Sequence, residues 1–337
     1  MKNSGIEKTM GPDVPTLLKD AGIRPLHWEI RTLQGGNNRV YKIIADDDTY
    51  VLKEYFVSEK DLRNRLLTEF VFLKYIWEKS VRNVPEPIFC DLSRHMALFR
   101  FIEGEKPAII EKKHIVQSMD FIQAINDSIE NGLPTSAEIG MASDFSSSVD
   151  EYVDSTNKRI IRLKSMSADG EINREAKIFV AKRLIPRWKK IIAEIRRVKV
   201  KVDLLLETDM ILSPSDFGFH NSVMKKTGQI YFIDFEYAGW DDPVKMICDF
   251  FCQPEIQVPL TYIDYCIERV AAIVQSSRDL PERIRLLIPL FRIKWCCIML
   301  NDFLAVDSAR RQFAFFKGER RQKQLNKTIE YFDRYCQ

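Results

Sequence analysis

The first hundred residues alternate between short extended patterns and one long helical pattern. Segments rich in β-branched and aromatic residues, bounded by Gly, Asp or Pro, predict strands at 27–33, 39–44, 49–56, 87–91 and 96–101. Between the third and fourth strands, apolar residues recur at steps of three and four and predict a helix over 61–79. Ser58 to Asp61 resembles the capping box that begins such a helix. A short helix over 15–21, with Asp13 as its cap, precedes the strands.

Helical patterns dominate the chain beyond Gly104. They cover 114–127, 148–166, 173–198, 262–275, 281–304 and 308–335. The change of pattern predicts an α+β bilobal fold with a junction near Gly104. Residues 1–103 would form a small antiparallel-sheet N-lobe, and residues 104–337 a larger, mainly helical C-lobe.

Composition places the chain among ordinary globular proteins. Its 337 residues are 45% hydrophobic and 29% charged, which excludes a disordered or collagen-like chain. Seven cysteines, several of them in apolar runs, indicate reduced thiols. The N-terminus has no apolar leader, and the apolar stretch 284–306 contains too many charges to span a bilayer. These features predict a cytoplasmic protein without a membrane span.

Two segments are strongly basic. Residues 182–201 hold nine Lys or Arg against Glu194, and residues 310–327 hold seven against Glu319. Such segments are most often the solvated faces of helices, and the alternative is a surface for an anionic substrate or a nucleic acid. Neither interleaved aromatic residues nor zinc-ligand spacing accompanies them, so no nucleic-acid partner is expected.

The segment with the most chemical information runs from Leu212 to Glu236. If Thr227 and Gly228 form the centre of a hairpin, Asn221 and Asp234 lie directly opposite each other on one sheet face. Amide and carboxylate oxygens are suitable ligands for Mg²⁺. Asp216 lies on the preceding loop, where a carboxylate can orient or deprotonate an attacking hydroxyl. Aspartates also cap turns, but the spacing of all three residues favours a site.

A second group of candidates lies in the N-lobe. Glu69 falls on the apolar face of the predicted helix 61–79, where a carboxylate needs a partner, and Lys53 on the preceding strand is the nearest cation. The turn Gly35, Gly36, Asn37 and Asn38 lets backbone N–H groups approach phosphate oxygens, although it is also an ordinary hairpin turn. His220 has no predicted role, because adjacent strand residues point to opposite faces.

These residues resemble the aminoglycoside phosphotransferase and choline kinase group of the protein-kinase-like superfamily. The similarity covers residues 25–250 and is strongest from Asp216 to Asn221 and in the run Ile233-Asp-Phe-Glu-Tyr-Ala-Gly239. It also includes the glycine turn, Lys53, Glu69 and the junction segment 98–104. Only fourteen residues separate Asp234 from Asp249, and no Ala-Pro-Glu follows, which favours a small-molecule kinase over a protein kinase.

The resemblance implies a role for each matching residue. Lys53 would hold the α- and β-phosphates of a nucleotide beside the glycine turn, with Glu69 orienting Lys53. The backbone from Arg100 to Ile102 would bind the adenine. Asp216 would be the catalytic base, and the Mg²⁺ ligands would be Asn221 and Asp234.

The predicted activity is transfer of the γ-phosphate of ATP or GTP to a hydroxyl of a small acceptor, such as a sugar, a sugar derivative or a metabolite alcohol. Pro214 stands where the family usually has a histidine, two residues before the catalytic aspartate. A nucleotide-binding pseudokinase is therefore one alternative, and an aminoglycoside-modifying kinase is another. The candidate acceptor wall consists of the helical segment 104–200 and the last helices.

Overall fold

A five-stranded antiparallel sheet forms the N-terminal part of the molecule. The structure is a computed structural model, and it describes residues 12–33, 35–57, 63–127, 139–198, 205, 207–274, 279–304 and 320–337. The sheet order is β1-β2-β3-β5-β4. Its strands are β1 Trp28–Leu33, β2 Arg39–Ala45, β3 Asp48–Glu54, β4 Pro87–Asp91 and β5 Met96–Arg100. All five agree with the predicted strands to within one or two residues.

Helix α1, Val14–Asp20, packs on one face of this sheet. The side chain of Asp13 accepts from the Thr16 N–H at 3.2 Å and caps the helix, as predicted. Val14, Leu17 and Leu18 are buried with apolar residues of β2, β3 and β5 in a small core of their own.

Helix α2, Arg65–Glu78, carries the predicted apolar face. Leu66, Leu73 and Ile76 are buried on it together with Glu69. Asn64 caps the helix by accepting from the Leu67 N–H at 3.0 Å. The proposed capping box at 58–61 lies outside the described residues. Because α2 shares the large core of the C-terminal part, its burial fixes Glu69 between the two parts of the molecule.

The C-terminal part is mainly helical, which confirms the predicted α+β class. Its helices are α3 Lys112–Asn126, α4 Val149–Lys164, α5 Glu171–Phe179, α6 Ile185–Arg197, α7 Pro243–Cys252, α8 Ile263–Ala271, α9 Leu280–Met299 and α10 Arg320–Tyr335. A π-helical turn, Val180–Leu184, joins α5 to α6, so the predicted helix 173–198 is interrupted. The first part of the predicted helix 308–335 lies outside the described residues.

Helix α7 was not predicted from the sequence. All ten of its residues are buried, so no apolar stripe distinguishes one face from another. Its start signal is nevertheless visible, because Asp242 caps the helix through the Val244 N–H at 2.9 Å and Pro243 occupies the first turn. Helix α7 packs against α9, where the thiols of Cys248 and Cys252 approach backbone carbonyls of that helix.

The segment after β5 contacts the C-terminal part close to the predicted junction. Glu105 forms a backbone bridge with Met224, with N···O distances of 3.1 and 2.7 Å. A Cβ on Gly104 would lie 2.5 Å from the Met224 carbonyl oxygen, so only glycine permits this approach.

Two short strand pairs surround the candidate site. Strand β6, Ile211–Ser213, pairs with β9, Gly239–Asp241, and β7, Ser222–Met224, pairs with β8, Ile230–Phe232. The predicted register of the β7–β8 hairpin is wrong by one residue, because Ser222 opposes Phe232 and Val223 opposes Tyr231. The loop has three residues with Gly228 at φ 83°, instead of the two-residue turn assumed from the sequence.

The register correction changes how Asn221 and Asp234 meet. Asn221 lies in a 3₁₀ turn, Phe219–Asn221, before β7 begins, and Asp234 follows the end of β8. They are therefore not an opposed strand pair. A hydrogen bond of 2.9 Å from the Ile233 N–H to the Asn221 carbonyl brings the two segments together instead.

The first basic segment is used partly for packing. Arg183 pairs with Asp333 of α10, and Arg187 donates to the carbonyl oxygen of Cys336. These contacts favour the structural interpretation for this part of 182–197. Residues 199–201 and 310–319 of the two segments lie outside the described residues.

The described chain also bears on the predictions about thiols and membranes. All seven cysteines fall within it, and each is a free thiol. None of the helices in the described ranges is long and apolar enough to cross a membrane. The cytoplasmic location stays a prediction.

Candidate active site

Lys53 lies at the centre of a cluster that joins both parts of the molecule. Its ammonium group donates to the two carboxylate oxygens of Glu69 at 2.7 and 2.9 Å and to Oδ1 of Asp234 at 2.9 Å. Strand β3, helix α2 and the loop after β8 each contribute one of these residues. The predicted pairing of Lys53 with Glu69 is therefore present in the structure.

The cluster holds its charges in fixed positions. The side chain of Glu69 is 2% exposed and also accepts from the Tyr55 hydroxyl at 2.6 Å and the Phe235 N–H at 3.2 Å. Burial acts to lower the pKa of Lys53, but Asp234 and Glu69 outweigh it and raise that pKa above its ordinary value. Lys53 is consequently a permanent cation at this site.

The glycine turn reaches the same region from the other side. A Cβ on Gly35 would lie 2.2 Å from the carbonyl oxygen of Asn38, whereas one on Gly36 would meet open space. The Asn38 amide donates to Oε2 of Glu236 at 2.7 Å and accepts from the Phe56 N–H at 3.3 Å. Asn37 lines the cavity described below. Asn38 thus offers a nucleotide its backbone more readily than its side chain.

Glu236 is a buried acid that the sequence analysis did not single out. Arg65 of α2 donates to its Oε1 at 3.1 Å, and both side chains are at most 3% exposed. Burial and the nearby Asp234 raise the pKa of Glu236 to about 7. The contacts of Glu236 with Asn38 and Arg65 tie the loop after β8 to the sheet and to α2.

The backbone from Arg100 to Ile102 is only partly open for an adenine. The Arg100 N–H donates to Glu86 and the Phe101 N–H to Thr49, at 2.9 and 3.0 Å. No group in the described ranges accepts from the Ile102 N–H. Within the segment predicted to bind adenine, Ile102 is therefore the residue with a donor to offer.

Asp216 lies on a loop of unusual conformation between β6 and the 3₁₀ turn. The preceding residue, Ser215, has φ 65°, and its N–H donates to the Ser213 hydroxyl at 2.9 Å. Lys245 of α7 donates to the Ser215 hydroxyl at 2.8 Å. A left-handed serine costs about 1 to 3 kcal/mol, and such strain is typical of functional loops.

Two side chains fix the carboxylate of Asp216. The Nε2 of His220 lies 3.0 Å from Oδ1 of Asp216, and the Asn221 amide donates to Oδ2 at 3.1 Å and to the backbone carbonyl at 2.9 Å. Burial acts to raise the pKa of Asp216, but His220 and Asn221 hold it below its ordinary value. Asp216 is therefore ionised at neutral pH and can accept a proton.

His220 was left unassigned because a strand was expected at its position. Residue 220 instead lies in the 3₁₀ turn, and its side chain reaches the carboxylate of Asp216. The spacing Asp216-x-x-x-His220 was the signal available in the sequence. The imidazole ring of His220 also packs edge-to-face with the ring of Trp295, and the ring centroids are 6.4 Å apart.

Asn221 and Asp234 can offer oxygen ligands to a divalent cation. The amide nitrogen of Asn221 is occupied by Asp216, and Oδ1 of Asp234 by Lys53. No donor in the described ranges reaches Oδ1 of Asn221 or Oδ2 of Asp234. These two hard oxygens suit Mg²⁺, although no group of three or more His, Cys, Asp or Glu suited to a metal exists in this part of the chain.

A cavity of about 610 Å³ opens beside Asp216. Its walls come from helices α4 and α9, the loop of Asp216, and Asp144, with Asn37 at one side. Lys53, Asp234 and Arg100 do not line it. Asp216 lines this cavity, and its contact with Asn221 connects it to the loop of Asp234, because the Asn221 carbonyl oxygen accepts from the Ile233 N–H. Trp295 lines the cavity, whereas Trp188 and Trp240 do not.

Comparison with solved structures decides the fold. The spectinomycin phosphotransferase APH(9)-Ia, in a complex with ADP and spectinomycin, has a TM-score of 0.62 at 14% identity, covering 94% of this chain and 92% of that chain. The chain has the protein-kinase-like fold. The bilobal arrangement expected from the resemblance is thereby confirmed.

Two further kinases extend the comparison. The choline kinase LicA from Streptococcus pneumoniae matches at 13% identity with a TM-score of 0.58, covering 95% of this chain and 99% of that chain. The Plasmodium vivax ethanolamine kinase Pv091845 matches at 13% with a TM-score of 0.56, covering 92% and 82%. No family model matches the sequence, and no curated protein does. At these identities the likeness concerns the fold alone.

Proposed function

We propose that the protein transfers the γ-phosphoryl group of ATP or GTP to a hydroxyl of a small acceptor. The observation that carries this proposal is the position of Asp216, an ionised carboxylate that lines a cavity of about 610 Å³. Its partner Asn221 is hydrogen-bonded to Ile233, the residue before Asp234 of the Lys53 cluster. A cavity of this size suits a sugar, a sugar derivative or a metabolite alcohol, since small-molecule sites occupy about 300 to 1,000 Å³. The fold shared with small-molecule kinases supports the same conclusion.

The N-lobe residues act on the nucleotide. Lys53 contacts the α- and β-phosphates, and its own position is set by Glu69, which Tyr55 and Phe235 hold in turn. The glycine turn at 35–38 lies over the phosphates, and the Ile102 N–H binds the adenine. We assign residues 1–103 to nucleotide binding and residues 104–337 to the catalytic loop and acceptor site.

Asn221 and Asp234 would hold Mg²⁺, which when bound neutralises charge on the phosphate oxygens. The hydrogen bond from the Ile233 N–H to the Asn221 carbonyl oxygen links the two segments that carry these ligands. The Lys53 ammonium group lies 2.9 Å from Oδ1 of Asp234, which leaves Oδ2 of Asp234 for Mg²⁺.

Asp216 acts on the acceptor. The acceptor oxygen attacks the γ-phosphorus, the bond from that phosphorus to the bridging oxygen breaks, and ADP or GDP leaves. The hydroxyl proton passes to the carboxylate of Asp216. His220 and Asn221 orient that carboxylate and keep it ionised before the transfer. Most of the rate enhancement then comes from positioning and charge neutralisation.

A nucleotide-binding pseudokinase is the second candidate, because Pro214 replaces the histidine usual in the resembling family. In this chain the loop has other supports, namely the contacts of Lys245 with Ser215 and of His220 with Asp216. These supports favour an active enzyme over the pseudokinase.

The deciding experiment measures product formation from γ-labelled ATP and GTP with a panel of small hydroxyl compounds, alongside nucleotide-induced thermal stabilisation. Transfer of label to an acceptor by the wild type, lost in Asp216→Asn, supports the kinase. Stabilisation by nucleotide without transfer to any acceptor supports the pseudokinase. The exposed Asp264→Asn variant is a matched charge control, since Asp264 is 78% exposed and pairs with the exposed Arg285.

A further inference from the structure

The cavity beside Asp216 has more basic than acidic side chains in its walls. Three acids line it, Asp144, Asp216 and Asp249. Six basic residues line it: Arg63, Lys158, Arg159, Arg162, Lys245 and Lys294. The excess of positive charge is unexpected for a pocket that would receive a polycationic aminoglycoside, because such a ligand would meet charges of its own sign.

Two of the three acids are each paired with a cation. Lys294 contacts both oxygens of Asp249 at 2.9 and 3.0 Å, and Arg159 pairs with Asp144. Asp216 contacts His220. Lys245 is in turn compensated by Asp241, at 2.7 Å. Among the described residues of the cavity wall, Asp144 and Asp249 are therefore compensated by cations of the same wall.

Helix α4 supplies the excess of positive charge. Ser155, Lys158, Arg159 and Arg162 follow one another at helical spacing and line the cavity together. Lys158 and Arg162 are four residues apart, and like charges at that spacing repel each other along a helix. Lys158 is exposed and makes no ion pair with the described residues.

Two observations at Arg159 also indicate an anion. Its Nε is buried without a hydrogen-bond acceptor in the described part of the chain, so one donor of this cavity-lining arginine is left unsatisfied. Burial acts to raise the pKa of the neighbouring Asp144, yet Arg159, Lys294 and Lys245 hold it at about 2. The positive charges of the wall thus favour an anion at this position.

We propose that the acceptor carries an anionic group, a phosphate ester or a carboxylate, and that Lys158, Arg159 and Arg162 of α4 bind this group. The proposal rests on the function proposed above and names its substrate class. Guanidinium and ammonium groups form charge-assisted hydrogen bonds with either anion. With the anion on α4, the rest of the acceptor extends toward Asp216, where its hydroxyl is activated.

Binding to the wild type tests the proposal with matched pairs of probes. Ribose 5-phosphate is compared with ribose, and glycerate with glycerol, by calorimetry at saturating Mg²⁺ and a nonhydrolysable ATP analogue. We expect the charged member of at least one pair to bind about tenfold more tightly, with affinity falling as salt rises. The phosphate and carboxylate arms show which anion the site prefers.

Variants assign the binding to α4. The double variant Lys158→Gln/Arg162→Gln is expected to lose about tenfold in affinity for the preferred anion. Lys164→Gln is the matched control, because Lys164 is exposed on the same helix and does not line the cavity. Its affinity should stay within about twofold of the wild type.

Three outcomes would overturn the inference: equal affinity for charged and neutral probes, an unchanged double variant, or displacement of the anion by the ATP analogue. Phosphorylation of neutral acceptors without any preference for anions would reject it while the kinase function stands. Anion binding that depends on α4, but without transfer of phosphate to any acceptor, would instead contradict the proposed function.

Discussion

The ammonium group of Lys53 lies 2.9 Å from the carboxylate of Asp234, although the two residues are 181 positions apart in the chain. Through this contact the five-stranded sheet is joined to the loop after β8. Glu69 on α2 binds the same ammonium group, so one cation compensates two acids. The cluster therefore contributes to stability and to the candidate nucleotide site.

Lys53→Met leaves the buried Glu69 without its cation. We expect the free energy of unfolding to fall by about 3 kcal/mol, because removing one partner of a buried pair leaves an uncompensated charge. Urea denaturation measures the change, and nucleotide-induced stabilisation should be lost as well. Lys74→Met, an exposed lysine on α2, should stay within about 0.5 kcal/mol. Equal stabilities of the two variants would contradict the account of the cluster.

Asp234→Asn tests the Mg²⁺ ligands. Asparagine has the size of aspartate but not its charge. We therefore expect the factor by which Mg²⁺ raises nucleotide affinity to be about tenfold smaller in the variant than in the wild type. Titration of ATP with and without Mg²⁺ gives this difference. Asp264→Asn serves again as the exposed control. If Mg²⁺ has the same effect on Asp234→Asn as on the wild type, Asp234 is not a ligand.

His220 is a positioning residue, and its loss should alter the pH profile. His220 holds down the pKa of Asp216, so His220→Leu should raise that pKa. The acidic limb of the pH profile of kcat should then move to higher pH. We expect kcat at pH 7 to fall about tenfold with the KM for ATP unchanged. His220→Gln keeps a donor at similar reach and should restore most of the activity. Parallel loss in both variants, without a shifted limb, would indicate a merely structural role.

Asp241 supports the catalytic loop through Lys245 and gives a prediction about pH and stability. Burial raises the pKa of Asp241 to about 6 despite Lys245. An acid whose pKa is raised by folding binds its proton more tightly in the folded state. Its contribution to the free energy of unfolding is therefore greatest below about pH 3.8 and is lost as the pH rises toward 6.

The stability of the wild type relative to Asp241→Asn should therefore decrease by about 2 to 3 kcal/mol between pH 3.8 and 6. Urea denaturation across this range measures it. The exposed Asp264→Asn should show no such trend. A difference between wild type and Asp241→Asn that is constant with pH would contradict the raised pKa.

Much of the fold could be predicted because its elements have distinct periodicities. The strands alternate and α2 has one apolar face. Because Glu69 falls on that face and needs a cation there, its contact with Lys53 on the preceding strand could be predicted. Helix α7 could not be recognised by period, since it is buried on every side. The hairpin register depended on the loop length, which the sequence left open between two and three residues.

The site was predictable where spacing along one segment determined it. Asp216 and Asn221 belong to one loop, and they do meet. Glu236 was missed because its partners, Asn38 and Arg65, are far away in the chain. The basic face of α4 was missed because its residues do not form a dense run of charge in the sequence. They share a face of the helix only through their helical spacing.

The transfer rate of the Asp216→Asn variant is the most direct test of the central claim, that Asp216 is the base for an acceptor hydroxyl. Its affinity for Mg²⁺-ATP should stay within about twofold of the wild type, while kcat for transfer of γ-phosphate to the acceptor falls at least about a hundredfold. Transfer at a rate within tenfold of the wild type, at unchanged nucleotide affinity, would contradict it.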